Sequence, residues 1–263
     1  MKASEFDFLN IPKEDRRVVL LQSGGLDSCY LACVLNYYGF EVHHIFVDYG
    51  QNALEKEWAA ARDIANKYGG EIKRVTLSMP WLRDCCKLNG GVAESVVSDT
   101  KVFLGGVQTG IYVPMRNLLF ISIASSYAEA LKIPYIATGI DGIQDKEGKP
   151  LGGTPDKHPN FALRLEEALT ESSCLYHMYG KEFEILCPIV GNRKIDTVIA
   201  GLDIGCDFTD SWTCYNKGDK PCLQCDPCLE RLEVFEKLGI NDPTIVKYYG
   251  KYDSIQELLE NFG

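Results

Sequence analysis

Apolar residues along the chain gather in short blocks separated by glycine and polar turns. Residues 16–22, RRVVLLQ, form a β-branched and leucine run broken by Ser23-Gly24-Gly25, the pattern of a buried parallel strand. In LDSCYLACVLNYYGF, Leu26, Leu31, Val34 and Leu35 recur at helical spacing, and Gly39 supplies a stop. EVHHIFVDYG (41–50) predicts a second strand, ALEKEWAAARDIANKYGG an amphipathic helix closed by Gly69-Gly70, and EIKRVTL (71–77) a third strand. This alternation implies a parallel sheet with right-handed crossovers and helices on both faces.

Periodicity is lost over residues 80–112, which read as a long irregular excursion. It resumes with a helix at Arg116–Leu131 and a strand at Pro134–Thr138. A loop rich in Gly, Pro and charge then leads to a helix from about Phe161 to Ser173. A strand at 182–189, a helix at 194–205, a cysteine-bearing tail with a helix through PCLERLEVFEKLG, and a short helix near 254–261 complete the pattern. The fold class expected is α/β, a Rossmann-like doubly wound parallel sheet over 15–205, with a C-terminal metal-binding helical appendage over 206–263.

Composition narrows the classes of function. The chain has 263 residues and a net charge of −10, which argues against a protein held mainly to nucleic-acid phosphates. With 46% apolar and 24% charged residues, a sizeable core is expected and wholesale disorder is not. Eleven cysteines cannot all pair, and MKASEFDFLNIPKEDRR carries no apolar signal core, so a cytoplasmic protein with reduced thiols is expected. The most apolar stretch, NLLFISIA at 117–124, is too short to span a bilayer, so no membrane partner is expected.

Ser23-Gly24-Gly25-Leu26-Asp27-Ser28 sits where a strand ends and a helix begins, the place where open parallel sheets put phosphate sites. Paired glycines allow close backbone approach, first-turn N–H groups point at an anion, and Ser23 and Ser28 add hydroxyl donors. The string lacks the ending of a Walker loop and the GxGxxG of a dinucleotide fold. Two glycines alone fit an ordinary serine-capped turn equally well. At the end of the second strand, Asp48 and Tyr49 lie in FVDYGQ; Asp48 can accept from ribose or amino hydrogens, or simply form a turn.

Cys214, Cys222, Cys225 and Cys228 form a tight set with two successive C-x2-C steps. Four thiolates suit a structural tetrahedral Zn²⁺. An iron–sulfur cluster is the rival, and clustered core cysteines the third alternative, against which the polar loop around them counts. The other seven cysteines are scattered and read as small buried hydrophobes.

Taken together, SGGLDS, FVDYGQ, VPMRNLLFISIASSYAE (113–129) and DSWTCYNKGDKPCLQCDPCLERLEVF (210–235) closely resemble the 7-cyano-7-deazaguanine synthase family, within the ATP-pyrophosphatase superfamily, from about residue 17 to 245. The resemblance implies that SGGLDS holds the phosphates of ATP with Mg²⁺. It also implies conversion of 7-carboxy-7-deazaguanine and ammonia to the nitrile, and a bound structural zinc. Asp27, Arg116 and Lys194 are then the catalytic candidates, Arg116 and Lys194 as cations that neutralise phosphate charge. Asn117 and Asp156 are candidate substrate contacts. Trp212 and Tyr215 are candidates for stacking on the base or for packing under the cysteine loop.

One segment departs from that family, which usually reads like SGYPDCRPEF. Here Gly152-Gly153-Thr154-Pro155-Asp156-Lys157-His158-Pro159-Asn160-Phe161 stands instead, with Lys157, His158 and Asn160 in place of cysteine, arginine and glutamate. A diverged relative that passes the activated acyl group to an amine on a protein partner, as in antiviral defence, is therefore the second reading. A non-enzymatic nucleotide-binding or zinc-held interaction module is the third. A homodimer without direct nucleic-acid contact is expected.

Overall fold

The computed structural model describes residues 10–82, 112–142 and 154–263. Most of the irregular excursion expected over 80–112, with Cys85 and Cys86, lies outside the described residues, as do Gly152 and Gly153. The strands are β1 (Arg17–Leu21), β2 (Glu41–Asp48), β3 (Ile72–Thr76), β4 (Tyr135–Ala137) and β5 (Glu184–Leu186). The helices are α1 (Leu26–Tyr37), α2 (Leu54–Tyr68), α3 (Arg116–Ala130), α4 (Pro159–Ser172), α5 (Cys174–Tyr179), α6 (Lys194–Asp203), α7 (Asp226–Lys237), α8 (Pro243–Tyr249) and α9 (Ile255–Phe262).

The sheet runs β3-β2-β1-β4-β5 with every pairing parallel. Val19 lies opposite His43 on one side and Ile136 on the other, and Leu20 opposite His44 and Ala137. The strand order reverses between β1 and β4, so the crevice beyond their carboxyl ends is the topological switch point, where such sheets bind ligands. Both faces are covered. Val18 and Leu20 pack with Leu31, Ile64, Val198 and Phe235 on one side, whereas Val19, Ile45 and Ile136 pack with Ala124, Ala128 and Leu175 on the other. Covered faces explain why β1 reads as an unbroken apolar run rather than an alternation. The first core also takes in Cys206, Phe208 and Val234, so residues of the expected appendage share it with the sheet.

Two short helices do not follow from the local pattern. Ser173 caps α5, its Oγ accepting from Leu175 N at 2.9 Å, while Glu129 of α3 accepts from Ser173 Oγ at 2.8 Å and from Cys174 N at 2.7 Å. That cap depends on a residue 44 positions away. Helix α8 starts at Asp242-Pro243, and the Asp242 carboxylate accepts from Thr244 N at 2.9 Å. The strand expected over 182–189 shortens to three residues, ending two positions before Pro188, where the backbone turns.

The buried Arg231 guanidinium ties the tail together. It donates to Asp242 at 2.5 and 2.9 Å, to Ser211 Oγ at 2.8 Å and to Thr244 Oγ1 at 2.5 Å, with both charged side chains at most 3% exposed. Removing one member of such a pair leaves an uncompensated buried charge. Arg231→Met is expected to cost about 3–5 kcal/mol of unfolding free energy, read from denaturant midpoints; a loss below about 1 kcal/mol would show that the network carries little.

His44, on β2, is fully buried, neither ring nitrogen has a hydrogen-bond partner among the described residues, and Gly69 packs against its imidazole. Burial, with His43 nearby, pushes its pKa down from 6.5 to about 4. Between those values the unfolded chain binds a proton that the folded chain refuses, so stability falls as the pH drops through this window. From pH 8 to pH 5 the parent should lose about 2 kcal/mol through this group. His44→Leu should lack that part of the decline in a pH series of denaturation curves, and identical declines would refute the assignment.

Candidate active site

The loop after β1 is preset by its own side chains. Gln22 Nε2 donates to Ser28 O at 3.3 Å, and its Oε1 accepts from Gly24 N at 3.2 Å. Ser23 Oγ accepts from Gly25 N at 3.3 Å and lies 3.1 Å from Ser28 Oγ, which donates to Gly25 O at 3.0 Å. Gly25 is the N-cap of α1, and the first-turn amides of Leu26, Asp27 and Ser28 are the donors a helix start leaves open for an anion.

The two glycines do different work. Gly24 does not line the crevice; its φ is +81°, and a Cβ there would meet Glu57 O at 2.5 Å and Ala61 N at 3.0 Å. It needs to be glycine for its backbone conformation and for contact with α2. Gly25 reaches the crevice wall, as do Ser23, Leu26, Asp27 and Ser28.

The crevice is a cavity of about 370 Å³ at the switch point. Asp27 and Lys194, on the first turns of α1 and α6, form an ion pair across it, about one quarter exposed. Burial works against the Lys194 charge, but Asp27 and then Asp141 hold its pKa above the ordinary lysine value. Burial likewise opposes the charge of Asp141, yet Lys157 and Lys194 keep it below the usual carboxylate range. Lys157 Nζ donates to Asp141 Oδ1 at 2.9 Å.

On the opposite wall, Arg116 donates to Tyr49 OH at 3.3 Å. No carboxylate lies within 4 Å of it among the described residues. Burial pushes the Glu57 carboxyl up, against the lowering effect of Gln51 and Arg116. Burial also raises Tyr215, which shares the crevice with Arg116. Asn117 lines the site too.

Three expected contacts turn out to hold the frame. Asp48 does not line the crevice; its carboxylate accepts from Arg74 at 2.9 Å, Thr76 at 3.3 Å and Gly50 N at 3.1 Å, which is the turn-forming alternative. Asp156 accepts from Asn117 N at 2.9 Å, capping α3 from another segment, while Asn117 Nδ2 donates to Asp156 O at 3.0 Å. Trp212 touches the crevice but is 4% exposed: its indole donates to Cys214 O at 2.9 Å, with Lys56 and Tyr248 against its ring. The crevice also gathers Gln51 and Glu230, which lie within FVDYGQ and the 210–235 block but were not singled out there, and Glu57 and Asp141, which lie in none of the motif strings. For Asp141 a signal exists in its place, just past the carboxyl end of β4.

The sulfurs of Cys214, Cys222, Cys225 and Cys228 all lie within 4.8 Å of one another, with Cys214 and Cys225 at 4.0 Å. A tetrahedral ion with bonds of about 2.3 Å to sulfur sets its ligands about 3.8 Å apart, so the set fits one mononuclear centre. A multi-iron cluster would hold the thiolates farther apart. Backbone N–H groups of Cys222 and Cys225 donate to sulfur at 3.4 and 3.3 Å.

Residues 17–239 match the family model for queuosine biosynthesis protein QueC. The chain belongs to the QueC family. It is 32% identical over 241 residues to the 7-cyano-7-deazaguanine synthase of Thermoplasma acidophilum, covering 90% of this chain and 94% of that one. To the 7-cyano-7-deazaguanine synthase of Clostridium kluyveri it is 31% identical, covering 90% and 99%, and to that of Chlorobaculum parvum 30%, covering 91% and 100%. No helix among the described residues is long and apolar enough to cross a membrane.

In this QueC-family chain the cysteine ligands alternate with crevice residues: Thr213 and Tyr215 flank Cys214, and Pro227 precedes Cys228. Cys222→Ser is therefore expected to lower bound metal well below one ion per chain by elemental analysis. Full metal content in the variant would contradict the ligand set.

Proposed function

We propose that this protein is an ATP-dependent, C–N bond-forming ligase that converts 7-carboxy-7-deazaguanine to 7-cyano-7-deazaguanine. The observation that carries this reading is the Asp27–Lys194 pair set on the glycine loop at the switch point, in a chain that matches the QueC family over nearly its whole length.

In the proposed reaction the substrate carboxylate oxygen attacks the α-phosphate of ATP and the bond to pyrophosphate breaks. Ammonia then adds to the acyl carbon, AMP leaves, and a proton is lost to give the amide. The amide oxygen attacks a second ATP, again releasing pyrophosphate, and loss of AMP and two protons leaves the nitrile. These steps depend on positioning and on offsetting phosphate charge. The Leu26–Ser28 amides and the Ser23 and Ser28 hydroxyls would cradle the departing pyrophosphate. Lys194 would stabilise charge on the phosphoryl oxygens, and Arg116, lacking a carboxylate partner among the described residues, would receive the substrate carboxylate or the α-phosphate.

Magnesium arriving with ATP would supply further charge neutralisation, and Asp27 and Asp141 are the crevice carboxylates that would hold it. Zinc is the ion assigned to the four cysteines; with four thiolates it has no open position and serves the frame.

The test is incubation with 7-carboxy-7-deazaguanine, ATP, magnesium and ammonium, followed by mass spectrometry of the products. Two AMP and two pyrophosphate per nitrile are expected, and an amide, adenylate or protein-conjugate endpoint would refute the full reaction. Lys194→Ala and Asp27→Asn should each lower kcat/KM by about a hundredfold or more. Unchanged pyrophosphate release in Asp27→Asn would remove Asp27 from the catalytic group.

A further inference from the structure

Lys157 is a crevice cation for which the phosphate-loop and cysteine motifs give no account. It closes a 3₁₀ turn, Pro155–Lys157, whose backbone is pinned on several sides. Lys157 N donates to Thr154 O at 3.0 Å, Gly142 N donates to Lys157 O at 3.0 Å, and a Cβ on Gly142 would collide with that carbonyl. Asp156, next to it, is bonded to the first turn of α3. The turn therefore cannot drift without disturbing the start of α3.

From this fixed base the Lys157 side chain reaches Asp141, with both side chains about 30% exposed. Asp141 in turn feels Lys194, and Lys194 pairs with Asp27 of the glycine loop. The crevice thus holds an alternating row, Asp27, Lys194, Asp141, Lys157, that begins at the phosphate loop and ends on the turn. An exposed ion pair of this kind adds little to folding stability, about 0–1 kcal/mol. Its effect on a ligand is larger: with Asp141 holding it extended, Lys157 offers N–H donors on the crevice wall without the cost of ordering a free lysine.

We propose that Lys157 is a second ligand-binding cation of the crevice, positioned by Asp141, that contacts an anionic oxygen of the bound reactants, phosphate or carboxylate. The inference rests on the ATP-dependent reading above.

Calorimetric binding of α,β-methylene ATP and of 7-carboxy-7-deazaguanine to the full-length, metal-loaded protein tests it without turnover. In Lys157→Met one of the two Kd values should rise about tenfold or more, with the thermal midpoint unchanged; Lys157→Arg should restore most of the affinity. A weakened Kd for the nucleotide assigns the contact to phosphate, and for the deazaguanine to carboxylate. Lys157→Gln, which keeps a donor to Asp141 but loses the charge, should show the same weakening and serves where Lys157→Met does not fold. If neither Kd moves, or if Lys157→Arg is no better than Lys157→Met, the inference falls even where the parent makes the nitrile. If one Kd weakens while the parent yields no product, the inference stands and the proposed reaction falls.

Discussion

Everything at the site depends on the constraint at Gly24. Its left-handed backbone brings the loop after β1 against the Glu57 carbonyl and Ala61 amide of α2, too close for any side chain. On its other side the Gly24 carbonyl accepts from Trp212 N at 2.7 Å, the point where the tail meets the loop. One residue therefore joins the phosphate loop, the helix that carries Glu57 and the segment that leads to Cys214. A Cβ here would strain the backbone and push on α2 from within, so the first glycine serves assembly and leaves ligand approach to Gly25.

Assembly of this kind lets the crevice hold charge before any reactant arrives. Lys194 and Lys157 are each set against a carboxylate, which prevents an excess of positive charge in a half-buried cleft from destabilising the fold. Arg116 donates to Tyr49 OH, and although burial at the start of α3 works against its charge, Tyr49, Tyr215 and Asp156 outweigh burial and hold its pKa above the ordinary arginine value. Cations preorganised in this way need not reorganise when an anion meets them, the condition under which electrostatic stabilisation is strongest.

The central strands and the glycine loop were legible because their signals are local: an apolar run covered on both faces, a glycine break, then a helical period. The parallel order and the switch point followed from the alternation of elements. What stayed hidden depends on partners distant in sequence. Asp48 ends a strand whether it faces a ligand or Arg74, and only the register of β2 against β3 turns it toward Arg74 and Thr76. Asp156 fits the resembled family at its position, yet its carboxylate caps α3. Glu57 and Asp141 are polar residues on a helix and a loop, with no spacing to distinguish them from solvated neighbours. The four cysteines were readable because a set able to hold one ion carries its spacing directly in the chain.

The same tail shows how the four-cysteine set is tied to the crevice. Cys228 opens α7, and three residues later Arg231 of that helix enters the buried pair with Asp242. The guanidinium also holds Ser211, adjacent to Trp212, whose amide reaches Gly24. The four-cysteine set, the buried ion pair and the glycine loop are thus coupled in series through one helix and one short segment. Since Tyr215, Pro227 and Glu230 on that path also line the crevice, the tail forms a wall of the site. An ion held by the four cysteines would therefore act on the geometry of the crevice wall, and four thiolate ligands would leave it no open coordination position.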